Sequence, residues 1–249
     1  MGSFFFGLNT HIRAVRLLLT DVELRRLAVA PLLINVILFL VAIPVAVWGV
    51  TGWIGHLLGD PGGWAGAGVV VLQIIAGVAV VTASFILFGI IGAAVAGPFS
   101  GPLSEAVEKR ERERLGLEPM VVASRGVVRD VGRALVYALG RLLLFLAVYP
   151  LIFLLQFIPG VGPVLFGVLA FLYSAFVLSV DFTDPTLDRY IDDFRDKLQW
   201  VWQRKALSLG FGAGCVILLL IPIVNLAMIP VCVVGGTLTT MENGAPGAE

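Results

Sequence analysis

The chain has 249 residues, 59% hydrophobic and only 14% charged, against the roughly 25% charged of an average soluble domain, so it has too few polar groups to cover a water-facing surface. Lysine plus arginine number 17 and aspartate plus glutamate number 17, leaving no net basicity with which to hold nucleic acid by counterion release. Composition excludes a soluble globular domain and argues against a nucleic-acid partner. Cys215 and Cys232 both lie in apolar stretches, with neither the number nor the spacing of a disulfide framework or a zinc site, and read as packing residues.

The information lies in where the charges fall. Between Arg26 and Asp60 the only charge-bearing residue is His56, and the intervals 61–104, 142–180 and 206–241 hold none. At the start, Phe4-Phe5-Phe6 followed by Ile12, Val15, Leu18 and Leu19 at helical spacing predicts an amphipathic interfacial helix. The first 26 residues carry four arginines and two acids, and the apolar run after them is too long for the core of a cleavable signal peptide. A crossing needs about 20 apolar residues, and 27–54 supplies a first spanning helix.

After the turn Gly59-Asp60-Pro61-Gly62-Gly63, residues 64–96 form a second span. The block at 97–117 is expected to continue that helix into the cytoplasm as a polar rod. Glu105 with Lys109 and Glu108 with Arg112 stand at i,i+4 spacing, and Pro98 and Pro102 are potential bend points. The last two uncharged intervals are each broken near the middle, at Pro159-Gly160-Val161-Gly162-Pro163 and at Pro222 to Asn225, which predicts helical hairpins over 142–180 and 206–239. Each arm reaches about 21–26 Å, marginal against a hydrocarbon core of about 30 Å. Two tight transmembrane hairpins and two re-entrant, hemi-penetrating hairpins both fit. The re-entrant form is preferred, because paired short segments interrupted by Gly and Pro are the pointer to a transport site. Between the hairpins, 186–203 predicts a second amphipathic interfacial helix, with Leu187, Tyr190, Phe194, Leu198 and Trp202 on one face. The fold class expected is therefore an all-α integral membrane protein, with 1–249 a single membrane domain.

All 17 lysines and arginines precede the first span, follow the second, or lie between the hairpins. By the positive-inside rule these blocks and both termini are cytoplasmic.

No Ser/His/Asp arrangement, phosphate-binding loop, zincin helix or dinucleotide-binding pattern is present, so neither an enzyme nor any cofactor or metal is expected. Two sets of polar residues remain. In Thr20-Asp21-Val22-Glu23-Leu24-Arg25-Arg26, Thr20 or Asp21 can cap the first spanning helix. Backbone N–H groups at a helix start favour anions, and the adjacent arginines add planar donors suited to oxyanions. The same arginines can equally serve only the positive-inside rule and touch lipid phosphates, which composition alone favours. The second set is Asn35, Gln73, Glu105, Arg133, Arg141, Gln156 and Asn225, polar groups within or beside apolar segments that either line a path or bond helix to helix.

Leu24-Arg25-Arg26 with Pro31-Leu32-Leu33-Ile34-Asn35, Ala96-Gly97-Pro98-Phe99-Ser100-Gly101-Pro102-Leu103-Ser104-Glu105, Phe157-Ile158-Pro159-Gly160-Val161-Gly162, and Ile221-Pro222-Ile223-Val224-Asn225-Leu226 resemble the CysZ sulfate transporters of bacterial inner membranes, in order and over nearly the whole chain. The resemblance implies two long spanning helices, two hemi-penetrating hairpins, a homo-oligomer built from dimers, and sulfate uptake for cysteine synthesis without an ATPase motor. It assigns a sulfate site to Arg25, Arg26 and the amides of Glu23 and Leu24. It makes Glu105 a pathway carboxylate, with Asn35 and Asn225 as polar companions. A carboxylate on the path of a dianion has to be protonated or paired, and Arg133 is the partner expected for Glu105. The competing class is a non-transporting membrane scaffold or assembly protein whose inserted hairpins shape the bilayer.

Overall fold

The computed structural model describes residues 2–59, 63–118, 127–220 and 222–244; among the described residues all regular structure is helical. Eight α-helices follow in order: α1 (Gly2–Thr20), α2 (Val22–Leu58), α3 (Gly63–Leu115), α4 (Val127–Leu154), α5 (Gly162–Leu187), α6 (Phe194–Gln203), α7 (Lys205–Leu219) and α8 (Pro222–Glu242). A single 3-10 turn at Leu155–Phe157 joins α4 to α5. The 37 residues of α2 and 53 of α3 are about 55 and 80 Å long. α3 runs through Gly97-Pro98 and continues as a helix to Leu115, as its charge pairs require. The turn residues 60–62 lie outside the described residues.

The chain forms two compact units. One is Val29–Phe99, the apolar lengths of α2 and α3; among its described side chains large apolar ones such as Ile37, Leu40, Trp48, Trp64 and Ile74 are exposed. Within it, Gln73 donates to the Thr51 carbonyl at 3.2 Å, joining the two helices. Leu40–Leu58 there, with Leu139–Phe157 and Gly162–Leu187 elsewhere, are long and apolar enough to cross a membrane.

The other unit is Met1–Ala28 with Ser100–Glu249. Its centre joins Ala14 and Leu18 of α1, Leu24 and Ala28 of α2, Leu103 and Val107 of α3, and Val231, Val233, Val234 and Leu238 of α8. α1 buries a face of small and polar residues, Gly7, Thr10, His11, Ala14 and Leu18, and turns Phe5, Ile12 and Leu19 outward. Those three, seven residues apart, lie on one face of the helix, with Asn9 and Arg16 exposed beside them.

α7 is pinched between α1 and α5, its main neighbours. Gly210 and Gly214 are four apart and so share the face toward α1, while Gly212 is on the opposite face. A Cβ at Gly210 would overlap the Phe4 carbonyl, at Gly214 the His11 ring, and at Gly212 the Ala175 carbonyl of α5. Small residues at such crossings let backbones approach where no hydrophobic force drives helices together.

Both hairpins are closed at their charged ends. Arg141 pairs with Asp181 at 2.8 Å and the Tyr137 hydroxyl donates to Asp181 at 3.1 Å across α4 and α5. Below α7 and α8, Arg204 donates to the Asn243 carbonyl at 3.1 Å and stacks over Trp200. The amphipathic helix expected over 186–203 is shorter. Residues 186 and 187 belong to α5, 188–190 form a turn, 191–193 are irregular, and α6 starts at Phe194 because Asp193 caps it, accepting from the Arg195 amide at 3.0 Å. Its inward face is Lys197, Trp200 and Val201, and Trp202 faces out.

A buried polar cluster joins α3, α5 and α8. The Glu108 carboxylate, 1% exposed, accepts from Arg112 at 3.2 Å, from Arg189 at 2.6 and 2.5 Å, and from the Tyr190 hydroxyl. Burial pushes the Tyr190 phenol above its ordinary pKa. One turn back, Ser104 shares hydrogen bonds of 2.9 Å with Thr186 and with Thr237, and Arg189 donates to it at 2.8 Å.

Two contrasts test these packing assignments by thermal unfolding of detergent-solubilised protein. Gly212→Ala should destabilise by about 1–3 kcal/mol through overpacking, whereas Gly167→Ala, with open space at its Cβ, should gain up to about 1 kcal/mol of helix propensity. Glu108→Gln should cost about 3–5 kcal/mol by stranding buried guanidinium groups, whereas the exposed Glu105→Gln should stay within about 0.5 kcal/mol.

Candidate anion site at the start of the second helix

α1 passes to α2 through a single non-helical residue, Asp21. The Asp21 amide still completes α1 by bonding the Leu17 carbonyl at 3.0 Å, and its own carbonyl accepts the Arg25 amide at 3.1 Å, the first backbone bond of α2. The Asp21 carboxylate accepts from the Glu23 amide at 2.9 Å and the Leu24 amide at 3.1 Å. This is the arrangement of an N-cap, which satisfies helix donors that have no intrahelical partner. Leu24 is fully buried between α1, α3 and α8, so the turn bearing these amides is anchored by packing.

The amides of Glu23 and Leu24 are therefore not open, as the sequence reading supposed; an internal carboxylate already occupies them. Arg110 of α3 holds that carboxylate in place, pairing with Asp21 and with Glu23 at 2.9 Å. Nothing in the spacing of Arg110, one of several basic residues in the block after α3's apolar length, distinguishes it from its neighbours, and the sequence reading missed it. Arg25 and Arg26, in the first turn and a half of α2, are both exposed. The site thus has backbone donors, the positive end of a helix and two accessible guanidinium groups, with the Asp21 carboxylate on the amides and the Glu23 carboxylate beside it, both paired with Arg110.

Beside this turn lies a cavity of about 420 Å³, whose lining includes Glu23 and Leu27 of α2 and Glu105, Glu108, Lys109 and Arg112 of α3. It brings Glu105 next to the candidate anion site, as a pathway carboxylate requires. Of these two α3 carboxylates, Glu108 is the one that the described contacts pair with arginines. A 3-residue step keeps the two on neighbouring positions of one side of α3, and both border the cavity, but Glu108 is the buried one, held by Arg112 and Arg189. The side chain of Arg133, the partner expected for Glu105, lies outside the described residues, as does that of Asn35. Asn225 is half-buried in the first turn of α8, at the far end of the second hairpin from its charged base, and does not line this cavity. Gln73 serves as a helix-to-helix bond and Arg141 as the latch of the first hairpin.

The profile of a family described as "Sulfate transporter CysZ/Etoposide-induced protein 2.4" matches residues 10–230. Over 220 residues the chain is 29% identical to the protein named sulfate transporter CysZ of Salmonella typhimurium strain LT2, a match covering 88% of this chain and 86% of that one. The proteins of the same name from Salmonella paratyphi A and Salmonella typhi match with the same identity and coverage. The matched stretch takes in most of α1, the capped start of α2, the whole of α3 and both hairpin tips. The chain belongs to the sulfate transporter CysZ/Etoposide-induced protein 2.4 family.

Proposed function

We propose that this protein admits sulfate, or a closely related tetrahedral oxyanion, through the bacterial inner membrane for assimilation into cysteine. The observation that carries this reading is a helix start that already binds a carboxylate through two backbone amides, beside Arg25 and Arg26, in a chain related over most of its length to proteins named sulfate transporters. The basic blocks and both termini face the cytoplasm. The anion site is therefore on the cytoplasmic side, where an entering ion leaves. Sulfate would take the Glu23 and Leu24 amides from Asp21 and recruit the two exposed arginines. The displaced Asp21 carboxylate keeps its partner in Arg110, so the exchange strands no charge.

The hairpins are re-entrant. In the first, the Arg141–Asp181 pair marks where the polar boundary can lie. From that pair to the tip the α4 arm rises about 21 Å and the α5 arm about 28 Å, the first short of a hydrocarbon core of about 30 Å and the second close to it, although each arm has the length and apolarity of a span. The 15 residues of α7, about 22 Å, fall short likewise. Assembly into homo-oligomers built from dimers supplies partners for the outward apolar faces, and Asn35, Glu105 and Asn225 line the route.

No motor is part of this chain's proposed activity, so the gradient must drive entry. The membrane potential opposes an entering dianion by about 4.6 kcal/mol per 100 mV, more than three decades of concentration. Continuous consumption of sulfate inside, or movement with cations, has to offset it.

Uptake of radiolabelled sulfate into proteoliposomes tests the reading. Wild type should exceed empty liposomes, and Arg25→Ala/Arg26→Ala should weaken sulfate binding by at least 10-fold, from about 1.5–3 kcal/mol per charge-assisted hydrogen bond. No flux in wild type, with unchanged binding in the double variant, would leave the scaffold alternative. A second expectation separates capping from competition. Asp21→Asn keeps a capping oxygen but removes the resident charge, so sulfate should bind several-fold more tightly in isothermal titration; weaker binding would mean the carboxylate is not displaced.

A further inference from the structure

α1, α7 and α8 converge on three buried residues, His11, Cys215 and Cys232, whose imidazole and thiol atoms all lie within 4.8 Å of one another. His11 Nε2 is 3.3 Å from Cys215 Sγ. Its other nitrogen, Nδ1, is 3.1 Å from the Leu8 carbonyl, a partner that can only accept, which places the proton on Nδ1 and leaves the Nε2 lone pair turned toward the sulfurs. A backbone carbonyl behind the ring is the support that metal-binding histidines commonly have. The ring is held further by stacking on Phe211, with centroids 5.0 Å apart, and it fits only because Gly214 has no Cβ. Around the sulfurs the wall is apolar, with Leu178, Phe182, Leu218 and Leu219 packed against Phe211 and the cysteines.

Ligand bonds of about 2.0–2.3 Å for nitrogen and sulfur put donor atoms about 3.5–4 Å apart around a shared ion, so the cluster needs shifts of under about 1 Å to close on one. Thiolate and imidazole are soft donors that select Cu(I) or Zn(II) over hard cations. Structural zinc takes four protein ligands; among the described residues no fourth His, Cys, Asp or Glu joins the three. We propose that His11, Cys215 and Cys232 form a three-coordinate site for one Cu(I) ion, independent of the anion site and of sulfate transport. Both cysteines bind as thiolates, so two thiol protons leave to solvent, no electron is transferred, and Cu(I), two thiolates and a neutral imidazole carry one net negative charge. The bound ion would tie the interfacial helix α1 to the second hairpin.

Full-length protein purified in detergent with reductant should withdraw one Cu(I) per chain from bathocuproine disulfonate under anaerobic conditions, and copper X-ray absorption should show two sulfurs and one nitrogen. Metal should raise the thermal transition of wild type. Cys215→Ser and His11→Asn should each lose at least 100-fold in affinity and lose that thermal shift, with size-exclusion profiles reporting whether each variant folds. Cys232→Ser provides the same test should either of them fail. Wild type unable to compete for Cu(I), variants that bind as well as wild type, Zn(II) held as tightly as Cu(I), or a Cys215–Cys232 disulfide forming in place of metal uptake would each overturn the site.

Discussion

A carboxylate that is 1% exposed inside a membrane protein is tolerable only with its charge answered, and Glu108 is the constraint around which one unit of this protein is arranged. Arg112, one turn away on α3, supplies one guanidinium; Arg189, just past the end of α5, supplies the other, with the Tyr190 hydroxyl between them. Removing any one partner would leave a buried charge facing too few donors, which is far more costly than never having had the pair. The hydroxyls of Ser104, Thr186 and Thr237 extend the network to α8. The polar end of α3 is thereby fixed against α5 and α8, and the turn that holds Leu24 packs on the same face of α3.

The bilayer sets the second constraint. Where lipid replaces water, outward faces are apolar and inward faces small or hydrogen-bonded, and α1 follows that rule at Phe5, Ile12 and Leu19 outside and at Gly7, Thr10 and Ala14 inside. Its glycine contacts with α7 are the same solution applied to backbone approach. Charges gather at the bases of the hairpins, where Arg141, Asp181 and Arg204 close the arms.

The helical class, the break in each hairpin and the N-cap at Asp21 were legible from local pattern, because each depends on spacing along one segment. The Glu108–Arg112 pair was legible too, being an i,i+4 contact. What escaped were contacts between segments far apart in sequence. Arg110 was indistinguishable from other basic residues until α3 lay beside the start of α2. The contacts of Glu108 with Arg189 and Tyr190 were equally hidden, because they join α3 to residues 81 and 82 positions away. The start of α6 was misplaced because α5 carries its helix through Pro185, which the local pattern did not predict. The cysteines read as packing residues, since their third neighbour, His11, comes from the opposite end of the chain.

That distance has a consequence for how the protein is made. His11 and Cys215 are 204 positions apart, and α7 fits only between α1 and α5, so α1 is made long before its main partner. At about 5–20 residues per second the wait is roughly 10–40 s, during which the face bearing Gly7, Thr10 and His11 has no cover. A chain that stops short of α7 leaves that face open permanently, a simple mark by which proteolytic surveillance could distinguish an unfinished copy from a complete one.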